Sequence, residues 1–138
     1  MIGNKPVYEF LGYKLLKVNF NRYNDEKLSK FSFKIINRNY NNEDNVYSFC
    51  VSVNLDFRDN EESNFIFLTA FLINDIKWYS SLENNIRDSM FFSIVFPFIR
   101  QKINEFCDDS RELVRLPIVN LKNICLDQEV VFSYINND

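Results

Sequence analysis

Residues 46–73 read VYSFCVSVNLDFRDNEESNFIFLTAFLI. In the first twelve, Tyr47, Phe49, Val51, Val53, Leu55 and Phe57 alternate with Ser48, Cys50, Ser52, Asn54 and Asp56. A side-chain period of two with one apolar face is the pattern of a half-buried β-strand. The acidic, asparagine-rich stretch Arg58–Asn64 interrupts it and FIFLTAFLI (65–73) resumes it, so the two runs predict an antiparallel hairpin with a longer loop. DNEES (59–63) reads as a turn, because the sharp bend of an EF-hand loop needs a glycine that is absent here. The second strand has a further property. Phe65, Phe67, Phe71 and Ile73 share one face while Ile66, Leu68, Ala70 and Leu72 share the other, so both faces require cover.

Upstream, Tyr13–Phe20 and Phe31–Ile36 read as two more strands, with an irregularity at Leu15-Leu16 that suggests a bulge. NRYNDEKLSK (21–30) and NRNYNNEDN (37–45) read as polar connections, which gives four strands. From Ser80 the period changes. Leu82, Ile86, Met90, Ile94 and Phe98 recur every four residues, and Ile99, Ile103 and Phe106 follow, which predicts one long helix. Ser80 with Glu83 three residues later reads as a capping box at its start, and Asp108-Asp109-Ser110 as its end, where aspartate opposes the helix dipole. MFFSIVFPFI (90–99) is apolar on nearly every side, so this helix must be enclosed. Pro97 cannot donate to the carbonyl of Ser93 and is expected to bend it. A short helix over about 120–126 and a strand-like VVFSYI (130–135), with no role assigned, complete the pass.

Composition limits what such a chain can do. With 138 residues it is a single domain over 1–138 that can build a core without disulfide or metal staples. It holds 15 Phe, 7 Tyr and 1 Trp but only 2 Gly, and no histidine. Lack of histidine removes imidazole bases, the usual serine and cysteine triads and His-containing zinc sites. Gly3 and Gly12 alone cannot write a P-loop or a dinucleotide fingerprint, so no enzyme, cofactor or metal site is expected. With net charge −3 and scattered Lys and Arg, no basic stripe for nucleic acid is present. Cys50, Cys107 and Cys125 form no close pair and read as buried thiols in a reducing compartment. No apolar run approaches the ~20 residues of a membrane-spanning helix, and the start MIGNKPVYEFLG is not a signal peptide; a soluble, cytoplasmic protein is expected. A two-sided strand plus a helix apolar all round exceed what two layers can hide in a chain this long, so a homo-oligomer is expected.

The order of these elements resembles the SecB family of export chaperones. IVFPFIRQKINEF (94–106) resembles the family's long helix, in which a Phe-Pro pair precedes an aromatic and an arginine. LPIVNL (116–121) resembles the Pro-x-Val-Asn segment that follows it, DNVYSFCVSVNL (44–55) the third strand, and KVNFN (17–21) the end of the first. The resemblance implies an α+β fold: a four-stranded antiparallel sheet followed by a long helix and a short C-terminal helix, assembled as a dimer of dimers, a homotetramer. The implied activity is ATP-independent holding of unfolded or precursor polypeptides for protein export, by contact of extended clients with aromatics and strand edges. A dedicated chaperone for one partner such as an antitoxin, or a scaffold of the same fold without a client groove, are the alternatives.

Site candidates follow from the same likeness. Phe20, Tyr23 and Phe31 flank the short connection between the first two strands and are the candidate client-binding aromatics; Ile94, Phe98 and Ile103 are the candidate oligomer contacts. Arg100 is expected to pair with a carboxylate. The family's acids for a translocation motor are replaced here by Lys17 and Asn21, with Leu68 near a third, while Asp59, Glu61 and Glu62 keep acid on the adjacent turn.

Overall fold

The computed structural model describes residues 5–20, 28–57, 62–106 and 125–133. In chain order the elements are β1 (Tyr8–Asn19), β2 (Leu28–Asn41), β3 (Val46–Phe57), β4 (Glu62–Ile73), α1 (Ile76–Ser81), α2 (Asn84–Phe106) and β5 (Val130–Ser133). The class is α+β, as expected, but the sheet has five strands rather than four, in the order β1-β4-β3-β2-β5 and antiparallel at every pairing. The fifth is Val130–Ser133, the described part of the VVFSYI segment, which adds to the edge of β2.

β3 and β4 follow the alternation of their sequence: Tyr47 to Phe57 and Phe65 to Ile73 on odd positions are buried, and the even positions are half-buried on the outer face. β1 is longer than its apolar run because two bulges keep it in phase, with register shifts at Phe10/Gly12 and at Leu15/Lys17, the second at the irregular Leu15-Leu16 pair. Gly12 follows the first bulge at φ +133°, a backbone state that a residue with a Cβ adopts only under strain. β2 runs on through residues expected to be a turn. Past a bulge at Ile36, Asn37 and Asn39 face outward while Arg38 and Tyr40 face inward and find polar and aromatic partners there, so alternation resumes one residue out of phase with Phe31, Phe33 and Ile35. The turn itself is only residues 42–45; the Asn41 side chain accepts from the backbone N–H of Glu43 and Asp44, and Asn45 takes φ 56°.

The helical region departs from expectation at its start. Ser80 is no cap: it lies inside the six-residue α1, whose N-cap is Asp75, its side chain accepting from the Trp78 N–H. The chain then turns extended at Leu82, and the Glu83 carbonyl accepts from Arg87 N–H to open α2. Two helices form because Leu82 and Glu83 leave helical geometry between them. α2 continues across Pro97.

α2 lies along the inner face of the sheet. Phe91 meets Phe71 at a ring separation of 4.3 Å, Phe92 meets Phe33 at 4.8 Å, and Phe106 meets Phe65 at 5.5 Å. Its buried row is Asp88, Phe91, Phe92, Val95, Phe96, Ile99 and Ile103, spaced for one helical face. The every-fourth-residue row that marked the helix in sequence points the other way: Ile86 is 50% and Phe98 41% exposed, with Met90 and Ile94 half-buried between them. The expected short C-terminal helix over 120–126 lies outside the described residues, apart from Cys125 and Leu126, and Leu126 sits in a turn. Among the described residues no helix is long and apolar enough to cross a membrane.

Candidate functional site

At the end of the sheet where α2 finishes, the inner face is built from phenylalanine. Phe57 and Phe65 are fully buried and form a floor. Phe20, just past β1, sits over them at ring separations of 6.1 and 6.3 Å, and meets Phe106 of α2 edge-on at 5.3 Å. Phe106 is 46% exposed and Phe20 half-buried, so the cluster presents ring edges and faces to solvent. A patch of large, rigid rings with few rotatable bonds binds varied apolar side chains at low entropic cost.

Phe31 lies at the same end of the same face, paired in register with Leu55 of β3, but is fully buried. Its cover includes Phe132 of β5, stacked on it at 5.0 Å and on Phe33 at 5.7 Å. Thus Phe20 and Phe31 share one end of the sheet, one open and one capped by β5. Tyr23 lies outside the described residues. Of the candidate oligomer contacts, Ile94 is half-buried and Phe98 exposed against Phe10 and Tyr13 at 5.5 and 5.7 Å, whereas Ile103 is fully buried within the chain's own core and offers no surface.

Two features had no counterpart in the sequence reading. The first is Phe132, in a segment whose strand pattern was visible but whose place in the sheet was not. The second is a buried polar clasp at the opposite end of the fold. Asp88, 1% exposed, accepts from Arg38 Nε at 2.9 Å and Nη2 at 2.7 Å through one oxygen, and from the Tyr47 hydroxyl at 2.7 Å through the other. Its sequence signal is a single acid in phase with Phe91, Phe92 and Val95. Burial, with the Asp88 carboxylate beside it, raises the Tyr47 phenol far above the usual tyrosine range. Arg38 is also held above its ordinary value; partial burial opposes its charge, but the bonds and field of Asp88 outweigh that. Arg38 reaches onward to Asp127 in the segment before β5 at 2.5 Å. The group fastens α2 and the C-terminal segment to the sheet.

The outer face of the sheet divides in two. Over β3 and β2 it is polar, with Ser48, Cys50, Ser52 and Asn54 opposite Asn39, Asn37, Lys34 and Ser32. Over β4 it is apolar, with Ile66, Leu68, Ala70 and Leu72 half-buried, and β1 adds the bulge residues Leu11 and Leu16, 54% and 49% exposed, between Glu9, Lys14 and Lys17. A shallow depression there is lined by Leu11, Gly12, Tyr13, Lys14, Leu68 and Ala70. β5 extends the sheet at the far edge and leaves this strip open.

Among solved structures, this chain is similar to a SecB-like chaperone of Mycobacterium tuberculosis, Rv1957, in complex with a ChAD peptide from the Rv1956 HigA1 antitoxin. The TM-score is 0.58 at 13% sequence identity, over 81% of this chain and 87% of that one. No protein-family model and no curated protein matches the chain. The fold is SecB-like, and the likeness is one of fold.

Proposed function

We propose that this SecB-like chain is an ATP-independent holdase that binds unfolded or extended polypeptide segments. The observation that supports it best is the half-open aromatic cluster of Phe20 and Phe106 over Phe57 and Phe65. Clients would lay alternate apolar side chains on these rings, and binding the unfolded state slows folding and aggregation by mass action. The purified chain is expected to suppress aggregation of a refolding client without ATP. Phe106→Ala, with Phe20→Ala beside it, is expected to weaken affinity for a labelled unfolded polypeptide about tenfold while oligomeric mass stays unchanged. Full suppression by both variants would move the client site elsewhere, and no suppression by the unaltered protein at several-fold molar excess would end the reading.

A narrower form, a chaperone dedicated to one partner such as an antitoxin, is favoured by the similar chaperone having been solved with an antitoxin peptide. Co-purification of one stoichiometric partner would distinguish it from general holding. Export is the less supported branch. Lys17 and Leu68 lie on the outer face, opposite Ile66 and Lys14, so this surface offers positive charge and apolar area where an acid-based motor contact needs carboxylates. Asn21 lies outside the described residues. Cys50 is half-buried and Cys125 exposed, where the sequence led us to expect buried thiols, and Cys107 lies outside the described residues; a reducing, cytoplasmic setting is proposed for such free thiols.

The working form is proposed to be a homo-oligomer, a dimer of dimers. Besides the aromatic cluster, two apolar surfaces are open among the described residues: the Leu11–Leu68–Leu72 strip on the outer face and the Ile86–Met90–Ile94–Phe98 row of α2. Each suits a separate isologous contact. Leu68→Lys, opposite Lys14, and Ile94→Glu each place an unpaired charge in one of them, where burial costs several kcal/mol. Each is expected to lower the mass measured by light scattering at micromolar concentration by one assembly step, with unchanged circular dichroism. A monomeric unaltered protein would overturn the assembly.

A further inference from the structure

A single short strand closes the edge of β2. Among the described residues β5 pairs through Val130–Ser133 against Phe33–Lys30, and it covers the backbone edge and both rings of the aromatic slot made by Phe31 and Phe33. Val131 is 50% exposed, and the half-buried Val130 and Phe132 hold the strand to the inner face, Phe132 through its two stacked rings. The segment immediately before it is fixed much more firmly. Leu126 is buried to 1% exposure, its carbonyl accepts from the Ile35 N–H at 3.0 Å, Asp127 pairs with Arg38, and Glu129 accepts from the Ser32 hydroxyl at 2.5 Å. A strand behind a separate anchor of its own is the arrangement of a tethered competitor. Its local concentration stays high whether or not it is seated, so it leaves for a better ligand and returns when that ligand departs.

We propose that β5 is a resident occupant of a strand-acceptor slot, and that an extended polypeptide with a large aromatic or aliphatic side chain at the Phe132 position enters by displacing it. The proposal rests on the holdase reading and adds to it a second, gated subsite beside the open Phe20–Phe106 cluster. The occupant is argued from the slot itself: an antiparallel edge that supplies backbone hydrogen bonds, with one ring-sized apolar socket on the inner face at every second residue. With β5 seated most of the time, apparent affinity is the intrinsic affinity scaled by the open fraction. Loosening the strand therefore tightens client binding, the opposite of what losing a structural strand does.

The test uses the full chain in three forms: unaltered, Phe132→Ser, and the double variant Ser32→Cys/Val131→Cys, whose residues lie directly opposite across β2 and β5. Two fluorescein-labelled probes are titrated by anisotropy: a reduced, carboxymethylated unfolded protein and the decapeptide LDQEVVFSYI, residues 126–135 of this chain. Phe132→Ser is expected to bind both about tenfold more tightly, corresponding to a strand seated about nine-tenths of the time in the unaltered chain. The oxidised double variant is expected to lose the decapeptide and regain it on reduction, with the Val131→Cys single variant showing no redox response. Client binding unchanged in all forms overturns the slot and leaves the holdase reading standing. Capture of the decapeptide by Phe132→Ser with no unfolded client held by any form overturns the holdase reading and confines the slot to strand exchange. Failure of Phe132→Ser to bind either probe more tightly, with its circular dichroism intact, overturns the inference.

Discussion

Asp88→Ala is expected to lower the unfolding free energy by about 3 kcal/mol, read as a shift of the urea midpoint at constant slope and fixed protein concentration. The reasoning starts from what the carboxylate satisfies. One oxygen takes two bonds from Arg38 and the other takes the Tyr47 hydroxyl, and Asp88 and Tyr47 are 1% and 2% exposed. Removing it strands a buried phenol without an acceptor, at a cost of about 1–3 kcal/mol, and leaves a guanidinium without its main partner. The Arg38 side chain is 31% exposed, so water recovers part of its solvation and the loss stays at the lower end of the range for broken buried pairs. Asp88→Asn keeps an acceptor for one of the two donors and is expected to lose about half as much. Tyr47→Phe is expected to lose about 1 kcal/mol, because it removes one bond and strands nothing charged. Asp127, 54% exposed, contributes little to the pair, and Asp127→Ala is expected to stay within about 1 kcal/mol. A loss below about 1 kcal/mol for Asp88→Ala would mean that the clasp orders the helix without stabilising it.

The same residues show where the fold was legible and where it was not. β3 and β4 were readable because both have one face in the core, and burial on one face writes a period of two into the sequence. β1 and β2 were recognised only over their apolar centres. Their ends carry Tyr8 and Phe10, or Arg38 and Tyr40, whose inward side chains satisfy the core through rings and ion pairs, so hydropathy alone cuts the strands short. The bulge at Leu15-Leu16 was visible as a break in alternation; that at Leu11 was not, since the glycine beside it carries no side chain to place on either face. The break between α1 and α2 was hidden because Leu82 kept the four-residue spacing of the helix beyond it while its own backbone turned extended.

The candidate site was less legible, for a topological reason. Phe20 and Phe31 were selected for flanking a connection, and the structure does put them at one end of one face. Yet whether each is open depends on residues more than seventy positions away: Phe106 beside the first and Phe132 over the second. Such contacts follow from strand order, and a four-residue strand adding to β2 has too short a pattern to announce its neighbour. The resemblance in sequence and the similarity in structure agree on the SecB-like fold because both read the same succession of strands and long helix. Neither bears on the edge where β5 sits.

The phase of α2 against the sheet has a direct test. In sequence the helix is apolar on nearly every side, so which row faces the sheet is undetermined; the structure turns Phe91 inward and Phe98 outward. Phe91 has ring contacts with Phe71 at 4.3 Å, Tyr8 at 5.3 Å, Tyr47 at 5.7 Å and Trp78 at 6.3 Å, joining β1, β3, β4 and α1. Phe91→Ala opens a ring-sized cavity among four elements that cannot all move inward, and is expected to lower stability by about 3–5 kcal/mol. Phe98 is 41% exposed, and Phe98→Ala in a Leu68→Lys/Ile94→Glu background, monomeric because both contacts are blocked, is expected to cost about 1 kcal/mol or less. Restoring the outward row to an assembled protein should raise the cost of Phe98→Ala, because in the oligomer that row is proposed to be covered. Equal losses at the two positions in the monomer would place both rings in one core, and the row proposed to meet a second chain would then be spent within the first.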